Sequence, residues 1–180
     1  MARDDADLIR RWRGGESAAF DALVRRWQQP AARFLARMLG AAGPVADLCQ
    51  ELFLRVYLWR DRYREEGSFS TWLYRIALNL ARDHARKKIR QPVPLPEEVP
   101  ANGPVELPLW ERRELQESID AALSELPPNL REVLVLRHYE EMNFEEMGRL
   151  LDVPATTLKS RFTVAMHKMH ERLRDRGWSE

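Results

Sequence analysis

Apolar residues along this chain recur at three- and four-residue spacings, and the period-two alternation of strands is absent. Phe20, Leu23, Val24 and Trp27 form a first stripe, and Trp72, Leu73, Ile76, Ala77 and Leu80 form another. The longest is Val45, Leu48, Cys49, Leu52, Phe53, Val56 and Tyr57. Further on, Ile119, Ala122, Leu123 and Leu126 precede a break at Pro127-Pro128, after which Leu130, Val133 and Leu134 open a new helix. Phe144, Met147, Leu150 and Leu151 mark a short one that ends at Asp152-Val153-Pro154. The pattern predicts an all-α protein with about four helices in each half.

Between the halves, Ile89 to Trp110 holds six of the eleven prolines. Proline removes N–H donors and pushes the preceding residue out of the α region, so this stretch reads as an extended linker. The expected organisation is two small helical domains, 1–88 and 112–180, joined by a Pro-rich linker over 89–111. Apolar residues make up 44% of the chain, enough for two small cores. One cysteine excludes an intramolecular disulfide framework and a Cys-rich zinc site. Cys49 lies on the apolar stripe and reads as core rather than as a thiol sensor. No secretory signal and no membrane-spanning run is visible, so the expected location is cytoplasmic, with no membrane insertion.

The net charge of +1 conceals a segregation. Residues 1–90 carry 18 Lys and Arg against 11 Asp and Glu, and residues 157–180 carry 6 against 3. Between them, 91–111 hold four Glu and no cation, and 112–156 hold 5 basic and 10 acidic residues. Two basic zones set apart by acidic ones fit a polyanion touched at two places; solvated helix faces are the plainer account.

On a helix, Leu158, Phe162, Ala165, Met166, Met169 and Leu173 share one face, expected to pack on its own domain. Ser160, Thr163, Val164 and His167 point the opposite way, with Lys159 and Arg161 on the flanks and Lys168 beside Arg161. Short side chains in the middle and cations at the edges suit a helix in a DNA major groove. A helix at about 143–151 and a four- or five-residue turn would complete a helix-turn-helix, with Gly148 where the backbones approach. An ordinary amphipathic C-terminal helix has the same periodicity. Upstream, Arg75, Asn79, Arg82 and Arg86 form one stripe over 70–88, with Trp72 at its edge. Such a stripe can track phosphates, stack a base and read a base edge; the alternative is a solvated face with Trp72 in the core.

Four segments together resemble the bacterial RNA polymerase sigma factors of the sigma-70 family, in the short extracytoplasmic-function (ECF) group that keeps regions two and four. "GGESAAFDALVRRW" resembles the start of region two, and "DLCQELFLRVYLW" the helix that binds the core polymerase clamp. "FSTWLYRIALNLARDHARKK" resembles the promoter-melting and −10 helix. "LSELPPNLREVLVLRHYEEMNFEEMGRLLDVPATTLKSRF" resembles region four, which reads the −35 element. The segments occur in the family's order and cover nearly all of 1–88 and 120–175.

By position, the resemblance implies core polymerase binding by Asp47, Gln50, Glu51, Phe53 and Arg55, although Phe53 also fits the core stripe. It implies −10 reading by Asn79, Asp83 and Arg86 and melting by their neighbours Trp72 and Arg75, with Arg82 added from the same polar stripe and a base-capturing loop at about 60–68. For −35 binding it implies Lys159, Ser160 and Arg161, alongside Thr157, Thr163, Val164, His167 and Lys168 on the same exposed face. The acidic linker would suit an RNA exit path. The implied partners are core RNA polymerase, promoter DNA and an anti-sigma factor, with no cofactor. Where family members often have Gly-Thr-Val, this chain has Thr156-Thr157-Leu158; where they have Glu-Ile-Ala, it has Glu146-Met147-Gly148. Thr156 is therefore expected in the extended region, with Thr156 or Thr157 as N-cap.

The leading reading is a non-enzymatic initiation factor that directs core polymerase to promoters and helps to open the −10 region. A stand-alone helix-turn-helix regulator is the alternative, but it needs a dimer and no sustained heptad supplies one. No Gly-rich phosphate loop supports an enzyme, and His84, His138, His167 and His170 fit no metal-site pattern.

Overall fold

The computed structural model of the protein describes residues 2–40, 43–64, 68–88 and 109–178. Among them there is no strand, and the helices run α1 (Ala2–Arg13), α2 (Ser17–Leu39), α3 (Val45–Leu58), α4 (Phe69–Lys88), α5 (Leu109–Ser124), α6 (Pro128–Leu134), α7 (Phe144–Leu151) and α8 (Ala155–Asp175). A 3-10 turn at Arg60–Arg62 follows α3, and a π-turn at Val135–Tyr139 extends α6. The chain forms two compact units, Met1–Leu35 with Pro44–Val93, and Ala36–Gly43 with Pro94–Glu180. Residues 89–108 of the expected linker lie outside the described residues, and its last three residues already belong to α5.

Helix α1 is absent from the predicted elements because one member of its buried stripe is charged. Asp5, Ile9 and Trp12 lie at i, i+4 and i+7, and all three are buried. The Arg26 guanidinium on α2 donates to Asp5 Oδ1 at 2.7 Å, which makes the buried carboxylate tolerable. Gly15, at φ +99°, then turns the chain into α2, a conformation open to glycine without strain.

The first unit is built on aromatic contacts. Trp12 stacks on Phe20 at 4.8 Å, and Tyr57 meets Phe20 edge-on at 5.3 Å. A second group joins α2 to α4: Trp27 lies edge-on to Phe69 at 5.8 Å and to Tyr74 at 6.1 Å, while Phe34 meets Tyr74 at 4.8 Å. Such pairs add about 0.5–1.5 kcal/mol each beyond area burial. Of the long stripe on α3, only Leu52 and Val56 are fully buried, and Tyr57 remains 48% exposed, contrary to its expected core place. Cys49 is half-buried with Sγ 3.7 Å from the Gln28 carbonyl oxygen, and burial pushes its thiol pKa up.

In the second unit, α8 packs against α5, α6 and α7. The π-turn keeps two successive residues, Val135 and Leu136, wholly buried. Arg131 on α6 closes the end of α5: it donates to the carbonyls of Leu123 at 2.9 Å and Leu126 at 3.1 Å, and also to that of Ser124. Terminal helix carbonyls otherwise lack partners, so a single guanidinium fork satisfies a cluster of them. Arg172, late in α8, and Arg176, just past its end, both pair with Glu125, and Trp178 Nε1 donates to Ser118 Oγ at 2.9 Å.

Two outcomes follow from these contacts. Replacing Arg131 with Ala should destabilise the second unit by about 2 kcal/mol in denaturant unfolding, with Lys recovering only part, because four carbonyls, that of Met38 included, lose a charged donor. Because the Cys49 pKa is raised, less thiolate forms at pH 8. Alkylation of the folded chain should therefore be slower than that of the denatured chain.

Candidate nucleic-acid interface

Helix α4 begins on Ser68, whose Oγ accepts from the Thr71 N–H at 3.2 Å and bonds both Ser70 Oγ and Thr71 Oγ1 at 2.8 Å. This caps the helix in the usual serine manner. Its apolar face, Leu73, Ile76, Ala77 and Leu80, is buried, which turns Arg75 and Asn79 outward with Arg86 75% exposed. Arg82 and Asp83 are half-buried on the same side. Asp83 Oδ1 accepts from Arg86 Nη2 at 2.7 Å, and Arg75 and Arg82 each engage a neighbour as well. Trp72 is neither core nor free. It is half-buried, resting on Tyr63 at 5.4 Å and Phe69 at 5.9 Å, and its remaining surface faces solvent beside the polar stripe.

On α3, Asp47 and Gln50 are exposed, and Glu51 pairs with Arg55 at 2.8 Å one turn on. Arg55 also lies over the Trp59 ring at 5.6 Å. Phe53, for which both core and surface readings stood, is half-buried. It lines an open groove of about 490 Å³ with Phe20, Val24, Leu54 and Tyr57. Leu54 at 54% exposure and Leu58 at 64% extend this apolar surface. Neither was singled out in the sequence, although an apolar pair four residues apart and off the main stripe is the signal that marks them. Of the expected loop over 60–68, Arg60–Arg62 is a 3-10 turn and Tyr63 is buried, while 65–67 lie outside the described residues.

The helix-turn-helix is formed by α7 and α8. Asn143 and Glu146 make a reciprocal capping box at the start of α7, with bonds of 2.8 and 2.9 Å. The turn is three residues, Asp152–Pro154, shorter than the expected four or five. It is tightened by Asp152, at φ 58° and ψ 46°, and by Val153 N–H donating to the Gly148 carbonyl at 3.3 Å. A Cβ at Gly148 would come within 3.1 Å of the Val153 carbonyl oxygen, so the close approach there is to the turn's backbone.

The threonines do something other than expected. Pro154, at φ −55° and ψ 139°, takes the N-cap place without a side-chain bond, and Ala155 is the first helical residue. Thr156 is therefore helical, neither extended nor left-handed, and neither threonine hydroxyl caps the helix. The left-handed residue that a family glycine would suit is Asp152, four positions upstream.

Along α8, Leu158, Ala165 and Met169 are buried, and Met166, expected in the core, is 45% exposed. Six of the candidate residues, Thr157, Lys159, Ser160, Thr163, Val164 and His167, are exposed, with Arg161 and Lys168 half-buried at the margins. Ser160 and Thr163 donate to the carbonyls of Thr156 and Lys159, each at 3.2 Å, which leaves hydroxyl lone pairs facing out. Val164, 46% exposed, is an apolar spot amid polar groups. Lys159 Nζ lies 5.9 Å from the Phe144 ring, and His167 Nε2 is 3.3 Å from Glu171.

Residues 23–91 match the family model for sigma-70 region 2, and residues 116–169 match that for sigma-70 region 4. The ECF RNA polymerase sigma factor SigW of Bacillus subtilis is 30% identical over 178 residues, covering 93% of this chain and 95% of the relative. The ECF RNA polymerase sigma-E factor of Escherichia coli is 32% identical over 170 residues, 87% of each chain. This chain belongs to the ECF RNA polymerase sigma factors.

The fold agrees. The sigma factor RpoE of Bartonella quintana, solved with the anti-sigma factor NepR, superposes with a TM-score of 0.72 at 18% identity, over 86% of this chain and 96% of that one. CnrH, solved with the cytosolic domain of CnrY, gives 0.69 at 23% identity, over 96% and 98%. As a sigma factor, the protein directs RNA polymerase to promoters and takes part in opening them. Among the described residues no group of His, Cys, Asp and Glu is placed to hold a metal, and no helix is long and apolar enough to cross a membrane.

The sigma factor's turn geometry makes a stability contrast. Asp152→Ala should cost about 1 kcal/mol in denaturant unfolding, because alanine has no local polar bond to offset the left-handed backbone. Thr156→Gly, which restores the common family residue, should gain nothing, since position 156 is helical.

Proposed function

We propose that this sigma factor holds core polymerase through α3, opens and reads the −10 element through α4, and reads the −35 element through α8. The observation that carries the assignment is that α4 and α8 each bury an apolar stripe and turn a polar stripe with cations to solvent. On α3 the outward surface is instead apolar, Phe53, Leu54, Tyr57 and Leu58, bordered by Asp47, Gln50 and the Glu51–Arg55 pair. An apolar patch with a polar rim suits a protein partner, whereas cations around short polar groups suit DNA. Region two would then span 1–88 and region four 112–180, with 89–111 as connector.

Within α4, Trp72 offers a half-free ring to an unstacked base, and Asn79 a donor–acceptor pair to a base edge. Arg75, Arg82 and Arg86 meet phosphates, and the Asp83 carboxylate holds Arg86 in place. Within α8, Lys159, Arg161 and Lys168 grip the backbone. Thr157, Ser160, Thr163 and His167 face base edges, and Val164 is suited to a thymine methyl. The protein is not an enzyme: it positions DNA on the polymerase and leaves chemistry to the core. It works in the cytoplasm with core polymerase, and an anti-sigma factor covering α3 or the DNA faces would keep it idle. Two weak DNA contacts on one chain gain by effective concentration, so the free protein needs only modest affinity.

In-vitro transcription with core polymerase tests the division of labour. Leu54→Glu should weaken core binding at least about tenfold, since burying an unpaired charge is costly. Lys159→Ala and Arg161→Ala should leave core binding unchanged and each lower the salt slope of promoter binding by about 1. Asn79→Ala should relax base preference in the −10 element alone. Tight sequence-specific DNA binding by the free chain, without core, would overturn the proposal.

A further inference from the structure

Arg13, the last residue of α1, reaches away from its own helix. Its Nε donates to the Arg60 carbonyl at 3.2 Å, and its Nη2 donates to the same carbonyl at 2.9 Å and to that of Tyr63. The two acceptors sit at the two ends of the turn between α3 and α4, and the Tyr63 N–H also donates to the Arg60 carbonyl at 3.4 Å. The guanidinium carbon lies 5.6 Å from the Tyr63 ring centre, so Arg13 holds this tyrosine at both backbone and ring.

Tyr63 is 6% exposed, and its ring supports Trp72 at 5.4 Å and Phe69 at 6.2 Å. The adjacent Trp12 is 2% exposed and fixes α1 on Phe20 and Tyr57, so the anchor itself is rigid. A chain of contacts thus runs from the end of α1, through Tyr63, to the ring at the edge of the α4 stripe. Lysine could not replace the fork, because a point-like ammonium does not span two carbonyls in one plane.

We infer that Arg13 is a positioning residue for promoter opening: it fixes the Arg60–Tyr63 turn and thereby the orientation of Trp72. This rests on the reading that Trp72 acts in strand opening. Arg13 itself touches neither polymerase nor DNA in this scheme. Its removal should slow the opening step and spare the binding steps.

The test uses the full chain with core polymerase and three variants, Arg13→Gln, Arg13→Lys and Trp72→Ala. Open-complex formation is followed by permanganate reactivity on duplex promoter, beside core affinity, thermal unfolding, and transcription from a template already unpaired through the −10 region. Arg13→Gln should open duplex promoter about tenfold more slowly, the scale expected for losing a charged hydrogen bond. It should bind core within about twofold of the parent and recover on the unpaired template. Arg13→Lys should retain the parent's unfolding temperature yet open slowly, so a poorly folding Gln variant does not decide the matter.

Normal opening by both Arg13 variants, with Trp72→Ala defective, would overturn the role of Arg13 and leave that of Trp72 standing. An equal loss for the Arg13 variants on duplex and unpaired templates would reduce Arg13 to a structural tie. Normal opening by Trp72→Ala would remove the reading of Trp72, and the inference with it.

Discussion

A helix in a unit of only four has one side to bury, and that limit shapes both halves of this sigma factor. Core packing takes roughly a third of the circumference, and the surface opposite must be compatible with water. In α4, Leu73, Ile76, Ala77 and Leu80 are taken up by the core, so Arg75 and Asn79 face out. In α8, Leu158, Ala165 and Met169 do the same for Ser160, Thr163, Val164 and His167. Neither outward stripe needs a special scaffold, because helical geometry aims it once the inward stripe is satisfied.

Helix α3 obeys the same limit with different chemistry. Its buried seam is narrow, Leu52 and Val56, and apolar residues spill beyond it onto the surface. Leu54 and Leu58, more than half exposed, contribute nothing to the core and leave apolar surface in water. Contiguous apolar exposure of this kind marks a surface that is covered in use. One unit therefore presents two surfaces of unlike character, with the Arg60–Tyr63 turn between their helices and tied down from α1 by Arg13.

Much of this was legible from periodicity. Helices α2 to α8, the break at Pro127-Pro128 and the outward face of α8 all follow from residue spacing and proline chemistry. The misses have physical reasons. Asp5 interrupts the stripe of α1, and only its pairing with Arg26 across to α2 shows that a carboxylate can sit in the core. Met166 lies within the apolar arc but past its packed edge, and it stays 45% exposed. The threonines of the recognition turn look like caps in isolation. The chain instead reverses at Asp152 and lets Pro154 open the helix, which places both threonines inside its first turn.

The sequence by itself determined the all-helical class, the family, and which side chains share a helical face, because these depend on local spacing and residue type. Only the tertiary structure decided which members of each stripe are buried, since burial depends on where a neighbouring helix stops. Tertiary contacts also revealed Arg13 and Arg131, each bonded to backbone carbonyls of another segment. Carbonyl acceptors carry no signature in the sequence, so an arginine that serves them reads as one more surface charge until the fold brings the two together.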